Sequence, residues 1–184
     1  MRKSVYYYTQ SVDGFIADAQ GGTEWMTGAP NVDYGFQEFY NEVGTIMLGA
    51  RTYEQMLKMG DFFPYPDKEV IVVSSNDKLR LAADCVRLSS EDPEKTLARL
   101  QLGDESDGLI WIGGGGILAG SLLEAGLIDE LRVFVQPIIL GLGTKALASS
   151  NNIARALELR YSKDHPAGIM ELCFDVPKRW RSDL

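Results

Sequence analysis

Apolar and polar positions change period several times along the chain, and the changes divide it into alternating strands and helices. Val5 to Thr9 is a run of residues that favour sheets and predicts the first strand. Gln10 to Gly14 is polar and closes on an Asp-Gly turn signal. Phe15-Ile16-Ala17 is a brief apolar return, and a glycine-containing loop follows from Asp18 to Thr23. From Asn31 to Val43 the apolar positions Tyr34 or Phe36, Phe39, Tyr40 and Val43 approximate a helical stripe, with Asn31 or Asp33 near its start. Thr45 to Leu48 predicts a strand ended by Gly49, and Arg51 opens a helix reaching about Lys58. Phe62 to Asp67 is a proline-rich loop. Strands are predicted at Glu69 to Val73 and at Cys85 to Leu88. Asp92 and Pro93 form an N-cap and first-turn pair for a helix through Leu100.

The apolar run Leu109 to Ile112 reads as a buried strand, and Gly113-Gly114-Gly115-Gly116 follows it directly. Ile117, Leu118, Leu122 and Leu123 then recur at helical spacing, with Gly126 where a helix C-cap belongs. Glu130 to Val135 predicts another strand, then Pro137 to Leu140 and the loop Gly141 to Thr144. Ala156 to Ser162 and Ile169 to Val176 predict an antiparallel hairpin around Pro166-Ala167-Gly168. Alternation through the middle of the chain implies an α/β fold: three layers, a mixed but mostly parallel sheet with helices on both faces, and the C-terminal antiparallel hairpin at its edge. The pattern shows no linker or repeat, so one domain spanning residues 1–184 is expected.

Composition narrows the function classes. A net charge of -8 argues against nucleic acid, which is bound through dense Lys and Arg. The two cysteines, Cys85 and Cys173, sit in apolar runs and read as buried free thiols, which fits a reducing, cytoplasmic setting. With His165 the one histidine, no metal-ligand spacing exists and a Ser-His or Cys-His triad is disfavoured. The apolar run after Met1-Arg2-Lys3-Ser4 is too short and too aromatic for a signal peptide, and no run approaches membrane-spanning length.

Strand, glycine turn, helix is an arrangement that binds phosphate. Bare backbone lets a ligand approach, and free N–H groups at the helix start carry partial positive charge. A tight packing turn is the plain alternative, but one glycine normally suffices for that. Ligands of open α/β sheets bind beyond the C-terminal strand ends. Four such ends carry suitable groups here: Gly49 with Arg51 and Thr52, Ser74-Ser75, the four glycines, and Gly143-Thr144. Arg51 can fork a phosphate, and the serines can hold a ribose or its 2′-phosphate, although Ser-Ser after a strand also serves as turn chemistry. Gly114-x-Gly116-x-x-Ala119 formally fits the Rossmann fingerprint. It lies late in the chain, however, and the next strand ends at Val135-Gln136 without the acid that grips a ribose.

Five segments in order carry a resemblance: Ser11-Val12-Asp13-Gly14-Phe15-Ile16-Ala17, Leu48-Gly49-Ala50-Arg51-Thr52-Tyr53-Glu54, Val73-Ser74-Ser75, Ile112-Gly113-Gly114-Gly115 and Gly126-Leu127-Ile128-Asp129-Glu130-Leu131. Together they resemble the dihydrofolate reductase superfamily, and within it the reductase domain of the bifunctional deaminase-reductase of riboflavin biosynthesis and its stand-alone relatives. The resemblance implies a cytoplasmic NADPH-dependent reductase, homodimeric, acting on a small heterocycle by hydride transfer to a C=N or C=O carbon. It implies that backbone at Ile16 and Ala17 meets the nicotinamide carboxamide. Gly49, Arg51 and Thr52 would hold phosphate, and Ser74 and Ser75 would face the adenosine side. Gly114, Gly115, Gly116, Ile117 and Leu118 would wrap the pyrophosphate and nicotinamide ribose, with a cis peptide at Gly113-Gly114. Thr144 is a further cofactor candidate.

On the substrate side, dihydrofolate reductases carry an acid sixteen residues before the glycine that stands here as Gly49, which gives 49 − 16 = 33, an aspartate. Asp33 equally suits a helix N-cap, and Asp13 is a rival carboxylate that also suits an Asx turn. Trp25 would wall the substrate site or belong to the core. The H-x-E and C-x-x-C of the zinc deaminase half are absent from the sequence. Two further readings remain open: a nucleotide-binding module of the same fold without catalysis, and a partner-binding protein using Phe62, Phe63 and Tyr65.

Overall fold

The computed structural model describes residues 1–28, 31–60, 62–148 and 154–178. Among these, eight strands form one twisted sheet and two more form a small ribbon. The strands are β1 (Ser4–Ser11), β2 (Phe15–Asp18), β3 (Val43–Gly49), β4 (Glu69–Val73), β5 (Val86–Ser89), β6 (Leu109–Gly114), β7 (Glu130–Gln136), β8 (Gly143–Lys145), β9 (Glu158–Asp164) and β10 (Met170–Asp175). The helices are α1 (Phe36–Glu42), α2 (Ala50–Met56), α3 (Pro93–Gln101) and α4 (Gly116–Glu124). The main sheet runs β5-β4-β3-β6-β1-β7-β10-β9, parallel from β5 to β7, with β10 antiparallel to both β7 and β9.

Alternation on β1 divides the interior into two cores. Tyr6 packs with Ile110, Ile112, Leu97 of α3 and Leu118 and Leu122 of α4. On the opposite face, Val5 and Tyr7 meet Trp111, Phe39 of α1 and Tyr53 of α2. Each fully buried side chain of this size contributes roughly 1.5–3 kcal/mol. The three-layer, mostly parallel architecture with its C-terminal hairpin is the one the alternation implies.

Helix ends follow local chemistry. The Asp92 carboxylate accepts from the N–H groups of Glu94 and Lys95, with Pro93 next in line. After α4, Gly126 N–H donates to Leu123 O and Leu127 N–H to Leu122 O, a Schellman termination. The first helix differs from expectation. Asn31, Tyr34 and Gly35 have φ of 61°, 56° and 83°, so the backbone before Phe36 is left-handed in places and α1 is confined to Phe36–Glu42. Val43 begins β3 directly. The hairpin's first strand also starts two residues later than the pattern suggests, at Glu158.

The small ribbon joins two segments that read as a loop and an apolar fragment in the sequence. Ala17 pairs with Thr144 and Asp18 with Gly143. A side chain at Gly143 would lie 2.1 Å from Ala17 O, so the strands approach this closely only because the residue is glycine. Of the loop aromatics, Phe63 and Tyr65 pack against Tyr53 and Trp111. Phe62 alone is open, at 90% exposure.

Candidate active site

Three parallel strands end side by side. Gly49 on β3 pairs with Val73 on β4, and Leu48 pairs with Gly114 on β6. Ser74-Ser75, Gly49 with Arg51 and Thr52, and the glycine run therefore share one rim of the sheet. Helices α2 and α4 start at that rim with Gly49 and Gly115 at their N-caps, and neither cap has a side-chain hydrogen bond. A methyl group built on Gly49 would lie 3.7 Å from both Gly114 O and Gly115 N, so the two turns touch.

The four glycines have different neighbours. At Gly113 a side chain would strike Leu48 Cδ2 at 2.6 Å, so this residue still belongs to the packed strand. Gly114 has φ of 108°, which only glycine adopts freely. The cis peptide lies at Gly114-Gly115, one residue later than the resemblance implies; just before it the β3–β6 register slips at Gly113, with Met47 facing Ile112 and Leu48 facing Gly114. Around Gly114 and Gly115 the sole neighbour within 4 Å of a built methyl is Thr52, at 3.8 and 3.2 Å respectively from its Oγ1. At Gly116 a methyl would sit 1.9 Å from Lys145 O, and Ala148 N–H donates to Gly116 O. Gly116 is thus a packing glycine. Gly114 and Gly115 are the two with open backbone. Ile117 is exposed and Leu118 is buried in the core, so Leu118 can offer a ligand only its backbone.

Next along the rim, Ser74 N–H donates to Ser89 O and the Ser74 hydroxyl accepts from Asn76 N–H, which is turn chemistry. Ser75 and Arg51 are exposed there. On the other side, Ile16 and Ala17 lie on β2 beside Thr144 on β8, and Tyr6 OH anchors the following segment by donating to Ala146 O at 2.9 Å. Asp13 braces this ribbon. Its carboxylate accepts from Ser11 Oγ at 2.7 Å, Leu140 N–H at 3.1 Å and Gly141 N–H at 2.7 Å. The Ser11 hydroxyl, followed by those backbone donors, holds its pKa below the ordinary carboxylate value.

A cavity of about 230 Å³ opens over the C-terminal half of β1 and β7. Asp33, Tyr34 and Phe36 approach it from the α1 loop, Tyr7 and Thr9 from β1, and Phe134 and Gln136 from β7, with Gly28 and Ile169 at the edges. Asp33 also accepts from Gln37 N–H with both oxygens, at 3.2 and 3.1 Å, so it stabilises the start of α1 while lining the cavity. Burial, reinforced by the charges of Glu171 and Asp33, raises the Tyr7 pKa and keeps its phenol protonated. Behind the wall, buried Glu171 accepts from Tyr161 OH and pairs with His165 Nε2, each at 2.8 Å. The His165 ring packs against Tyr34 and Phe134 and so fixes two lining rings. Trp25 does not line this cavity; its indole N–H donates to Gly22 O in its own loop. A larger recess, about 310 Å³, lies where β1 and β7 begin, and the Lys178–Asp129 ion pair is part of its lining.

Tyr7, Thr9, Tyr34, Phe36, Phe134, Gln136 and Ile169 escaped the sequence reading as site residues. One signal was present: Gln136 stands at the last position of a parallel strand, just before Pro137, where ligand contacts concentrate. The rest, with Gly28, read as ordinary strand, loop and core residues.

The fold is dihydrofolate reductase-like. The Enterococcus faecalis dihydrofolate reductase in complex with NADP(H) superposes with a TM-score of 0.63 at 20% identity, covering 95% of this chain and 96% of that one. A putative riboflavin biosynthesis protein from Shewanella sp. PV-4 superposes with a TM-score of 0.82 at 23% identity, covering 95% and 99%. Residues 2–170 match the model of the RibD C-terminal domain, and the chain belongs to that family. The Bacillus subtilis protein YwjB is 34% identical over 77% of this chain and 80% of its own length. The riboflavin biosynthesis protein RibD of Corynebacterium ammoniagenes is 28% identical over 77% of this chain, which spans 44% of that protein. Among the described residues no helix is long and apolar enough to cross a membrane, and no group of three metal-ligating side chains occurs. Both cysteines are free; Cys173 is buried and Cys85 only half-buried.

Proposed function

We propose that the protein is an NADPH-dependent reductase that delivers hydride to a C=N or C=O carbon of a small heterocycle. The observation that carries this reading is the open backbone at Gly114 and Gly115, backed by Thr52 and flanked by the starts of α2 and α4. A pyrophosphate needs such an approach, because side chains there would hold it away from the N–H groups. Arg51 and Ser75, exposed at the same rim, suit a 2′-phosphate, which favours NADPH over NADH. Backbone at Ile16 and Ala17, with Thr144 as strand partner, suits the nicotinamide amide.

NADPH, when bound, supplies the hydride. The chain's own residues bind and orient the acceptor. Tyr7, Phe36 and Phe134 form aromatic walls for a flat ring, and Asp33 accepts an N–H from its edge. Asp13 is the weaker candidate for the acid in this reading, because its carboxylate already accepts from Ser11 Oγ and the N–H groups of Leu140 and Gly141 and braces the ribbon.

The test is NADPH oxidation, followed by its absorbance, with pterins, aminopyrimidines and quinones as acceptors. Slow turnover of one heterocyclic class, weakened by Asp33→Asn, is the expected result. Binding of NADPH without oxidation by any acceptor would favour a nucleotide-binding module instead. Subunit pairing through the β9–β10 side of the sheet is part of the same reading, and light scattering on the purified protein tests it.

A further inference from the structure

Gln136 is 95% buried, since 5% of its surface is exposed, and it lines the cavity. Its Oε1 has no hydrogen-bond partner, and it is the one buried side-chain polar atom among the described residues in that condition. An unpaired buried amide oxygen costs stability and is seldom retained without use. The surrounding polar groups sharpen what would satisfy it. Asp33 is a carboxylate and accepts; the hydroxyls of Tyr7 and Thr9 serve in either sense. The single formal charge among the described lining residues is negative; behind the wall, buried Glu171 adds a negative field at Tyr7 that Arg132 partly offsets.

We infer that Gln136 is a specificity-determining residue whose side-chain oxygen accepts a hydrogen bond from a ring-bound N–H of the substrate. Together with Asp33 it selects a flat heterocycle that presents N–H donors on more than one edge. Rings of the same shape that carry only acceptors leave the Gln136 oxygen unsatisfied and face the Asp33 carboxylate with a like dipole, and are rejected. This inference rests on the reductase reading, in which the cavity is the substrate site.

The experiment uses the full chain saturated with NADPH and two probes, 2,4-diaminopyrimidine and 2,4-dimethoxypyrimidine, with affinities read by ligand-observed NMR. The wild type is expected to prefer the diamino ring by about tenfold or more, the worth of one satisfied buried acceptor. Gln136→Leu should lower that preference by about tenfold, leaving the part that Asp33 supplies, with NADPH affinity unchanged. It should also leave the melting temperature of the free protein unchanged or ~3 °C higher, because an unsatisfied polar group is removed. A purely structural role for the amide predicts the reverse, a fall in melting temperature. Gln136→Glu, with acceptors at both terminal positions, should keep the preference. Undiminished preference in Gln136→Leu, lost preference in Gln136→Glu, or no preference in the wild type, binding of neither ring included, overturns the inference. Failure of the wild type to bind NADPH is a separate result and overturns the reductase reading itself.

Discussion

The two halves of the site are built differently. The rim at β4, β3 and β6 is made of backbone: glycines, helix starts and short polar residues at consecutive strand ends. The cavity over β1 and β7 is made of side chains brought together across the chain, from Tyr7 to Ile169. Backbone sites leave compact local marks in a sequence, because glycine and strand-end hydroxyls are hard to replace there. Side-chain sites leave scattered residues that look like core.

The contrast is sharpest within the glycine run, where neighbouring residues answer to different halves of the argument. Gly116→Ala should be the most damaging change, since its methyl would overlap Lys145 O, a backbone atom that cannot step aside. About 3 kcal/mol of destabilisation is expected, read as a loss of ~6–12 °C in melting temperature. Gly115→Ala meets only Thr52 Oγ1 at 3.2 Å and should keep the fold. Its cost should fall on NADPH affinity, by about tenfold. If both variants lose stability alike, the glycines are all packing residues and the rim is not a ligand site.

Arg51→Ala should weaken NADPH binding by about fivefold, or ~1 kcal/mol, without a change in melting temperature, because the side chain is exposed and its contribution screened. NADH binding should be unaffected. Equal losses for both nucleotides would mean that Arg51 does not read the 2′-phosphate.

The smallest effects concern the bracing of the ribbon and the buried thiol. The Asp13 pKa is lowered in the folded state, so its stabilisation is complete above the unfolded aspartate value of about 3.9 and is lost as pH falls through the lower folded value. Asp13→Asn should therefore melt below the wild type at pH 7, and the gap should close in that acid window. A gap that persists at pH 2 would show that ionisation is irrelevant to the brace. Burial pushes the Cys173 thiol up to about 11, so iodoacetamide at pH 8 should alkylate half-buried Cys85 first. Faster labelling of Cys173 would contradict its burial.

Much of this was legible in advance where the signal is local. Asp92-Pro93, the alternation of strands and helices, and the glycine turn each follow from short-range rules, and the structure matches them. The α1 start was misread because the apolar stripe reports which face is buried and not whether Asn31, Tyr34 and Gly35 turn left-handed. The β2–β8 ribbon was invisible because its strands are 4 and 3 residues long and its partners stand more than a hundred positions apart. Gln136 needed the structure for the same reason, since an unpaired buried oxygen is a property of its surroundings. Trp25 shows the converse: a large aromatic in the right stretch of sequence that belongs to its own loop.

Calorimetric titration of the purified chain with NADPH and NADH in parallel tests the central claim most directly. The account predicts saturable binding of both, with NADPH at least ~tenfold tighter, a difference of about 1.4 kcal/mol from the 2′-phosphate. Equal affinities would remove the role assigned to Arg51 and Ser75, and no binding of either at millimolar concentration would contradict the reductase reading as a whole.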